Sequence, residues 1–257
     1  MGKKLTIGSC FSGIGGLELG FEWTGGFETK WQIEWDESAS EVLKKNWPNI
    51  VRYSDIRDVT SPPPVDIICG GFPCQDVSRA GKRAGITGNR SGLYIELLRT
   101  IRMVRPKLSI MENVAALVDD GIDTVLGDLA QEGNDAEWDC LSACEFGAPH
   151  ARERVFLLAY PGSQSFTLPL FARYGEEAIT RNKTTQKWGE NRYVSEMGYK
   201  AAQGIRDDKK WLPEPEVPRM VNGIPSELDS IKQLGNAVVP QVAQKIGEMI
   251  LEFENER

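Results

Sequence analysis

The sequence is poor in histidine, with His150 as the single example among 257 residues. Histidine is the usual general acid or base of enzymes, so the sequence argues against a hydrolase of the Ser-His-Asp type. It also lacks the run of about 18 apolar residues that a membrane-spanning helix needs. The apolar stretch near its start is too short for the core of a signal peptide. The lack of a membrane span and of a signal peptide predicts a cytoplasmic protein with no membrane partner. The small size, without an extra regulatory domain, predicts a bacterial or phage-infected cell.

Cysteine is also scarce, and the five residues are an odd number. In a chain that is not exported, this argues against a disulfide framework. Cys140 and Cys144 stand four positions apart, but no second pair accompanies them. Structural zinc sites require four nitrogen or sulfur ligands, and we therefore expect no metal.

Positive charge is in deficit, with a net charge of −7. That sign is wrong for a simple nucleic-acid-binding protein. The distribution is uneven, however, because residues 79–107 contain eight basic side chains and one acidic side chain, Glu96. Such a segment predicts a phosphate-binding face on an otherwise acidic protein. The alternative interpretation is a solvated loop and helix.

Apolar runs and polar amphipathic stretches alternate through the first 160 residues. Strands are predicted at residues 5–9, 30–34, 66–69, 108–111 and 155–159, and helices at 15–23, 38–46, 93–104 and 241–253. This alternation predicts an α/β fold with a mostly parallel sheet. Weak periodicity in between predicts a main domain of residues 1–160 and 223–257, with a small irregular domain at 161–222.

A glycine-rich turn follows the first predicted strand, with the sequence Phe11-Ser12-Gly13-Ile14-Gly15-Gly16. Glycines there allow a tight turn and a close approach to a ligand. Glu34, about 20 residues later, suits ribose hydroxyls, and Trp35 offers a flat face to adenine. We therefore expect an adenosine-type cofactor. NAD is an alternative, although Glu18 near the helix start would oppose a pyrophosphate.

A second glycine-rich loop, Gly70-Gly71-Phe72-Pro73-Cys74-Gln75, follows a buried strand and opens the basic segment. The cationic residues Arg79, Lys82 and Arg83 come shortly afterwards. Positive surroundings lower the pKa of a cysteine from its usual value of about 8.5 and favour the thiolate. Cys74 is therefore the candidate nucleophile.

Two further blocks carry charged side chains. Glu112, in Met111-Glu112-Asn113-Val114, ends a predicted strand, where burial would raise its pKa and keep it partly protonated. Arg152 and Arg154 stand two residues apart before the last predicted strand. Alternation places them on one face, where they suit an anion or a carbonyl oxygen.

These blocks, together with Gly235-Asn236-Ala237-Val238 ahead of the final helix, resemble the 5-methylcytosine DNA methyltransferase family. The resemblance covers residues 5–160 and about 219–252. It implies a Rossmann-like S-adenosylmethionine-dependent methyltransferase domain with a target-recognition domain at 161–222. The implied reaction transfers a methyl group to carbon 5 of a cytosine flipped out of double-stranded DNA.

The resemblance also implies a role for each matching residue. Cys74 would attack carbon 6 of cytosine, Glu112 would contact ring nitrogen 3, and Arg154 would bind the carbonyl oxygen with support from Arg152. The residues implied for cofactor binding are Phe11, Ser12, Gly13, Gly15, Gly16, Glu34, Trp35, Asp55, Ile56, Pro73, Leu93, Asn236 and Ala237. Those implied for DNA binding are Gln75, Ser78, Arg79, Lys82 and Arg83.

The sequence departs from the family pattern at three places. Ala237 stands where serine is common, and His150 stands where glutamine often precedes the arginine pair. Thr167-Leu168 lies too early to be matched with the Thr-Leu pair of family inserts.

Three other functions remain open at this stage. The same chemistry on RNA is one, and a catalytically silent DNA-binding regulator is another, although such proteins usually lose the cysteine or the glutamate. A Rossmann oxidoreductase would leave Pro73-Cys74-Gln75 unexplained. We expect a monomer that binds double-stranded DNA and has a cognate restriction endonuclease as its functional partner.

Overall fold

The computed structural model describes residues 3–73, 92–148, 150, 152–162, 170–171, 185–187, 193–195 and 236–255. A central sheet contains β1 (Leu5–Cys10), β2 (Phe27–Ile33), β3 (Val51–Tyr53), β4 (Ile67–Gly71), β5 (Leu108–Val114), β6 (Asn134–Ser142) and β7 (Glu153–Pro161). Its strand order is β3-β2-β1-β4-β5-β7-β6. Strands β1 to β5 are parallel, and β7 is antiparallel to both of its neighbours. The predicted α/β fold with a mostly parallel sheet is confirmed.

Helices cover both faces of this sheet. In the described residues they are α1 (Gly16–Trp23), α2 (Glu37–Asn46), α3 (Gly92–Val104), α4 (Leu117–Asp120), α5 (Ile122–Gln131) and α6 (Pro240–Asn255). Helix α2 begins where the Asp36 carboxylate accepts hydrogen bonds from the N–H groups of Ser38 and Ala39, which satisfies donors that lack an intrahelical partner. None of the helices described is long and apolar enough to cross a membrane.

The core consists of two apolar clusters separated by the sheet. On one face, Leu97 and Ile101 of α3 pack with Val125 and Leu129 of α5. On the other face, α1 and α6 pack together through side chains that include Phe21, Ile246 and Ile250. The alternation of helices along the chain therefore produces a layered α/β/α arrangement.

Helices α1 and α6 approach each other closely because two α1 residues are glycines. A Cβ atom at Gly16 would lie 2.3 Å from the Val238 carbonyl oxygen, and one at Gly20 would lie 2.2 Å from the Pro240 carbonyl oxygen. Neither approach is compatible with a side chain. The spacing Gly16-x-x-x-Gly20 therefore allows the segment before α6 to lie directly against the start of α1.

The segment predicted as a separate domain also contributes to the main core. Leu170 and Phe171 are buried in the cluster under α6, and the Glu137 carboxylate accepts hydrogen bonds from both of their N–H groups at 3.0 and 3.1 Å. Farther along, β8 (Thr185–Lys187) and β9 (Tyr193–Ser195) form an antiparallel pair. The boundary proposed at residue 161 remains a prediction.

The α1–α6 contact can be tested with two glycine substitutions. We expect Gly20→Ala to destabilise the protein by about 1–3 kcal/mol, because the new methyl group collides with backbone and the core does not yield freely. Gly127 lies inside α5 with open space around it, so Gly127→Ala should instead stabilise by about 0.4–1 kcal/mol through helix propensity. Urea unfolding of both variants measures the difference. Equal effects would contradict the close packing of α1 and α6.

Candidate functional site

The candidate site lies along the edge of the sheet where the parallel strands end. The glycine-rich turn follows β1, Glu34 and Trp35 follow β2, and Phe72 and Pro73 follow β4. Glu112 lies within β5 and pairs in register with Gly71, the last residue of β4. Ligands of parallel α/β sheets bind at this edge, and the topology brings these four segments to it.

The turn after β1 has an unusual backbone. Phe11 has a φ of 54°, Gly13 of 55° and Gly15 of 88°. A bulky residue such as phenylalanine seldom adopts a positive φ, and such strain is concentrated at functional sites. A Cβ atom at Gly13 would meet nothing within 4 Å. At Gly13 the turn therefore faces open space, as a ligand-binding turn requires.

Glu34 joins this turn to the end of β2. Its Oε2 accepts a hydrogen bond from the Gly13 N–H at 2.7 Å, and its Oε1 accepts one from the Asp36 N–H at 2.8 Å. Each carboxylate oxygen can accept a second hydrogen bond. Glu34 is thus held in place and still has acceptor capacity for hydroxyl groups, which fits the ribose of an adenosine cofactor.

Trp35 is the most exposed large apolar side chain of the described part, at 68%. The Arg57 guanidinium lies over its ring, 5.3 Å from the centroid. Arg57 also pairs with Asp55, at 2.6 Å between Nη2 and Oδ2, and this contact lowers the pKa of the Asp55 carboxyl. Ile56 is buried in the core, and Leu93 packs against the same cluster. An exposed aromatic face fits a purine ring.

The remaining residues predicted for the cofactor lie around the turn. The Ser12 hydroxyl is nearly buried and bonds to the Ser9 hydroxyl at 2.9 Å, so it stabilises the turn from within. Gly15 caps α1. Asn236 and Ala237 precede Val238, whose carbonyl oxygen contacts Gly16, and α6 therefore brings them near the turn. Pro73 is exposed at the end of β4.

Glu112 and Arg154 form an ion pair at this edge. The Arg154 Nε lies 3.0 Å from the Glu112 Oε1, and the Glu112 side chain is only 10% exposed. Burial raises the pKa of Glu112, although the positive charges of Arg154 and Arg152 oppose the shift. Burial and the neighbouring Arg154 in turn lower the pKa of Arg152. The result is a carboxyl group that retains its proton more readily than an exposed one, beside two guanidinium groups.

Gly70 and Gly71 make room for this arrangement. A Cβ atom at Gly71 would lie 2.8 Å from the Glu112 Oε2, and one at Gly70 would lie 2.1 Å from the Cys10 carbonyl oxygen. The glycine pair is therefore required both by the carboxylate and by the packing of β1 against β4. Sequence analysis assigned these glycines only a loop.

Asn113 is a functional candidate that sequence analysis did not identify. Its Nδ2 donates to the Phe72 carbonyl oxygen at 3.1 Å, and its Oδ1 accepts from the Val114 N–H at 2.9 Å. The side chain is 3% exposed. It ties β5 to the backbone two residues before Cys74. The signal available in the sequence was an asparagine directly after the candidate acid Glu112, at the end of an apolar strand.

Six predicted residues lie outside the described part of the chain, namely Cys74, Gln75, Ser78, Arg79, Lys82 and Arg83. The other cysteines are placed by the structure. Cys10, Cys69 and Cys144 are buried and Cys140 is half-buried, and burial raises the pKa of Cys10 and Cys69. A raised pKa disfavours the thiolate, so these two residues are unsuited to nucleophilic attack.

The prediction of one phosphate-binding face for residues 79–107 is wrong for its last part. Helix α3 runs away from the site edge, and its basic residues pair with acids. Arg102 pairs with Glu132 at 3.2 Å, and Lys107 pairs with Asp66 at 3.0 Å. Lys107 directly precedes β5, and Asp66 directly precedes β4. These cations lie at the opposite edge of the sheet.

The argument against NAD from Glu18 is also wrong. Glu18 is fully buried, and its Oε1 accepts a hydrogen bond from Gln32 Nε2 at 3.2 Å. Burial raises the pKa of Glu18. Since Glu18 points into the protein, it cannot repel a bound pyrophosphate. In the described ranges, no group of three acidic, cysteine or histidine side chains is arranged to hold a metal ion.

Comparison with known proteins adds independent information. A family model described as C-5 cytosine-specific DNA methylase matches residues 5–220. The type II methyltransferase M.Bsp6I of Bacillus sp. (strain RFL6) is 38% identical over 164 residues, which are 61% of this chain and 52% of the relative. For M.NgoFVII of Neisseria gonorrhoeae the identity is 36%, covering 61% of this chain and 44% of the relative.

A third relative, the type II methyltransferase M.AquIA of Picosynechococcus sp., is 33% identical over 192 residues, with 66% of this chain and 76% of the relative covered. The chain thus spans about half the length of the first two relatives and three quarters of the third. Among solved structures, the Entamoeba histolytica methyltransferase EhMeth has a TM-score of 0.64 at 15% identity, with 100% of both chains covered. The S. pombe Dnmt2 methyltransferase has a TM-score of 0.56 at 21% identity, covering 74% of this chain and 59% of that one. The last two comparisons show a shared fold.

The hydrogen bond between Asn113 and the Phe72 carbonyl group predicts a measurable loss in the free energy of unfolding when the Asn113 amide is removed. We expect Asn113→Ala to destabilise the protein by about 1–3 kcal/mol, because the Phe72 carbonyl group loses its partner in a buried place. Asn46 is the matched control. Its amide also donates to a backbone carbonyl, that of Val42, but on an exposed surface, where water replaces it. Denaturant unfolding should show a clear loss for Asn113→Ala and almost none for Asn46→Ala, and similar losses would disprove the assignment.

Proposed function

Because the chain belongs to the C-5 cytosine-specific DNA methylase family, we propose that it transfers a methyl group from S-adenosylmethionine to carbon 5 of cytosine in double-stranded DNA. The observation that carries the proposal is the buried Glu112–Arg154 pair beside the glycines that lead to Cys74. A nearly buried carboxyl group with a raised pKa suits proton donation to a base.

S-adenosylmethionine, when bound, supplies the activated methyl group. Glu34 would hold the ribose hydroxyls, since its two oxygens are already oriented by backbone N–H groups. Trp35 and Ile56 would contact the adenine ring, with Leu93 and Pro73 completing the pocket. The turn at Phe11–Gly16 and the neighbouring Asn236 and Ala237 would enclose the methionine end.

Carbon 5 of cytosine is a poor nucleophile, and covalent addition at the neighbouring carbon solves this problem. The Cys74 thiolate would add to carbon 6, while Glu112 gives its proton to ring nitrogen 3. The resulting enamine would take the methyl group at carbon 5, and S-adenosylhomocysteine would be left. A base, which we take to be water, would then remove the carbon-5 proton, the carbon–sulfur bond would break to release the thiolate, and nitrogen 3 would return its proton to Glu112.

The two arginines would hold the base during this sequence. Arg154 would donate to the cytosine carbonyl oxygen while its Nε keeps the Glu112 carboxyl in place, and Arg152 would support it. The reacting atoms are inaccessible inside a duplex, so the cytosine must leave the base stack. Gln75, Ser78, Arg79, Lys82 and Arg83 would contact the DNA, mainly through its phosphates.

Residues 161–222 would select the DNA sequence, since they lie outside the repeating α/β pattern and contain several basic and aromatic side chains. The relatives named type II methyltransferases support a modification role next to a cognate restriction endonuclease. We propose that this partner acts on the same DNA site and makes no physical contact.

The covalent step can be tested by trapping. With fluorine at carbon 5 of the target cytosine, no proton can be removed after methyl transfer, and release of the thiolate stops. We expect a duplex containing 5-fluorocytosine to remain attached to the protein when S-adenosylmethionine is present. Mass spectrometry of the digested adduct should locate it on Cys74.

Cys74→Ser should abolish both trapping and turnover, because serine is a much weaker nucleophile at neutral pH. Cys140→Ser is the matched control, since Cys140 is the half-buried free cysteine of the described residues, and it should behave as the unmodified protein. An adduct on another residue would refute the proposed mechanism. Methylation of tRNA in place of duplex DNA would refute the proposed substrate.

The proton-donating role of Glu112 predicts a large loss of rate in Glu112→Gln. A positioned acid contributes about 10²–10⁴-fold, and glutamine keeps the shape without the proton. Because burial raises the pKa of Glu112, the protonated fraction falls as pH rises through that raised pKa, and the variant should lack this part of the pH profile. Glu132→Gln, which breaks an Arg–carboxylate pair at the opposite edge, serves as the control. A rate within a few-fold of the unmodified protein for Glu112→Gln would exclude the role.

A further inference from the structure

Arg57 makes a set of contacts that the proposed reaction does not use. Its Nε lies 2.9 Å from the Asp55 Oδ1 and 3.0 Å from the Oδ2, and its Nη2 lies 2.6 Å from the Oδ2. The Arg57 backbone N–H also donates to the Asp55 Oδ1 at 2.9 Å. The same guanidinium lies over the Trp35 ring at 5.3 Å from its centroid. The side chain is nevertheless 58% exposed.

Such order is unusual for an exposed arginine. Fixing a long side chain costs conformational entropy, and isolated surface pairs return little of it. A planar guanidinium, however, can grip a carboxylate with its edge and stack on an aromatic ring with its face. Arg57 makes a carboxylate contact and a cation–π contact at once, so each contact orders the side chain for the other.

The two partners of Arg57 come from different parts of the fold. Trp35 follows β2, and Asp55 follows β3. Arg57 therefore connects the side chains of two walls of the proposed adenosine pocket. Trp35 is 68% exposed, and its indole has no ring partner in the described residues other than this guanidinium.

We propose that Arg57 is a positioning residue for the adenosine end of the cofactor, a role that rests on the proposed function. It fixes one face of Trp35 and orients the Asp55 carboxylate, and the opposite face of Trp35 receives the purine. The cofactor then binds to Trp35 and Asp55 side chains that are already ordered, so that less conformational entropy is lost on binding.

Arg99 holds the same turn from the protein side. Its Nη1 donates to the Val59 carbonyl oxygen at 2.7 Å, its Nη2 donates to the Ile56 carbonyl oxygen at 2.7 Å, and its Nε pairs with Glu96. These bonds attach the 3-10 turn Ile56–Asp58 to α3. Arg57 thus projects from a fixed backbone, and its own loss should leave the turn in place.

The test measures binding of the reaction product S-adenosylhomocysteine by calorimetry, without DNA. We expect Arg57→Ala to weaken the affinity about 3- to 10-fold, because the cofactor must then order the Trp35 and Asp55 side chains itself. Arg57→Lys keeps the charge but loses the planar fork and should recover only part of the loss. The melting temperature should not change, because the side chain is exposed.

Two further measurements separate positioning from a general structural role. In steady-state kinetics, Arg57→Ala should raise the KM for S-adenosylmethionine and leave kcat unchanged at saturation, since the reacting groups are untouched. In a Trp35→Ala background, the effect of Arg57→Ala should shrink, because the two residues act through one contact. Arg102→Ala removes a similarly exposed pair at the far end of α3 and should leave affinity unchanged.

Unchanged or tighter binding by Arg57→Ala would overturn the inference, and tighter binding would mean that the guanidinium occupies the place of the purine. The inference would also be overturned if Arg57→Ala and Arg102→Ala both lowered the melting temperature and both weakened cofactor binding, because the loss would then reflect general destabilisation. If the unmodified protein binds no S-adenosylhomocysteine, the proposed function fails and this role fails with it. If the unmodified protein and Arg57→Ala bind S-adenosylhomocysteine with equal affinity, the proposed function stands and only the role of Arg57 is excluded.

Discussion

The site depends on keeping one carboxyl group nearly buried at the edge of a sheet. A buried carboxylate is costly unless it has a partner, and Glu112 has Arg154 at 3.0 Å. The partner is available because β7 runs antiparallel beside β5 and brings Arg154 opposite Val114. The one reversed neighbour in a parallel sheet therefore supplies the charge that the buried acid needs. The same burial raises the pKa of Glu112, which is what a proton donor at neutral pH requires.

The second requirement of this architecture is glycine at several positions, because the lack of a Cβ atom allows close packing there. Gly71 leaves space for the Glu112 carboxylate, and Gly16 and Gly20 leave space for the backbone that precedes α6. Through these positions the two ends of the described chain meet beside one turn. The glycine-rich turn after β1 lies between them, with Phe11 and Gly13 in left-handed conformations. A side chain at any of these contacts would push apart segments that have to act together.

Sequence patterns predicted the parts of the fold that repeat a simple period. The buried strands β1, β4, β5 and β7 are apolar runs, and the helix predicted at 38–46 corresponds to α2. The short edge strand β3 and the polar edge strand β6 escaped prediction. In β6, Asn134-Asp135-Ala136-Glu137 contains few β-forming residues, and its conformation is set by pairing with β7. Helix α3 was predicted, but the direction in which it carries Arg102 and Lys107 was not.

For the site, the sequence by itself determined the residue types on which the proposed chemistry rests, namely a cysteine after a glycine pair, a lone glutamate after an apolar strand, and an arginine pair. Their residue types and order were sufficient to indicate the family. Only the tertiary structure decided that Glu112 pairs with Arg154, that Asn113 holds Phe72, that Glu18 points inward and that Arg57 joins Trp35 to Asp55. These contacts link residues on different strands or turns. Their geometry follows from sheet order, strand direction and close backbone packing, none of which is encoded in the local sequence around any one residue.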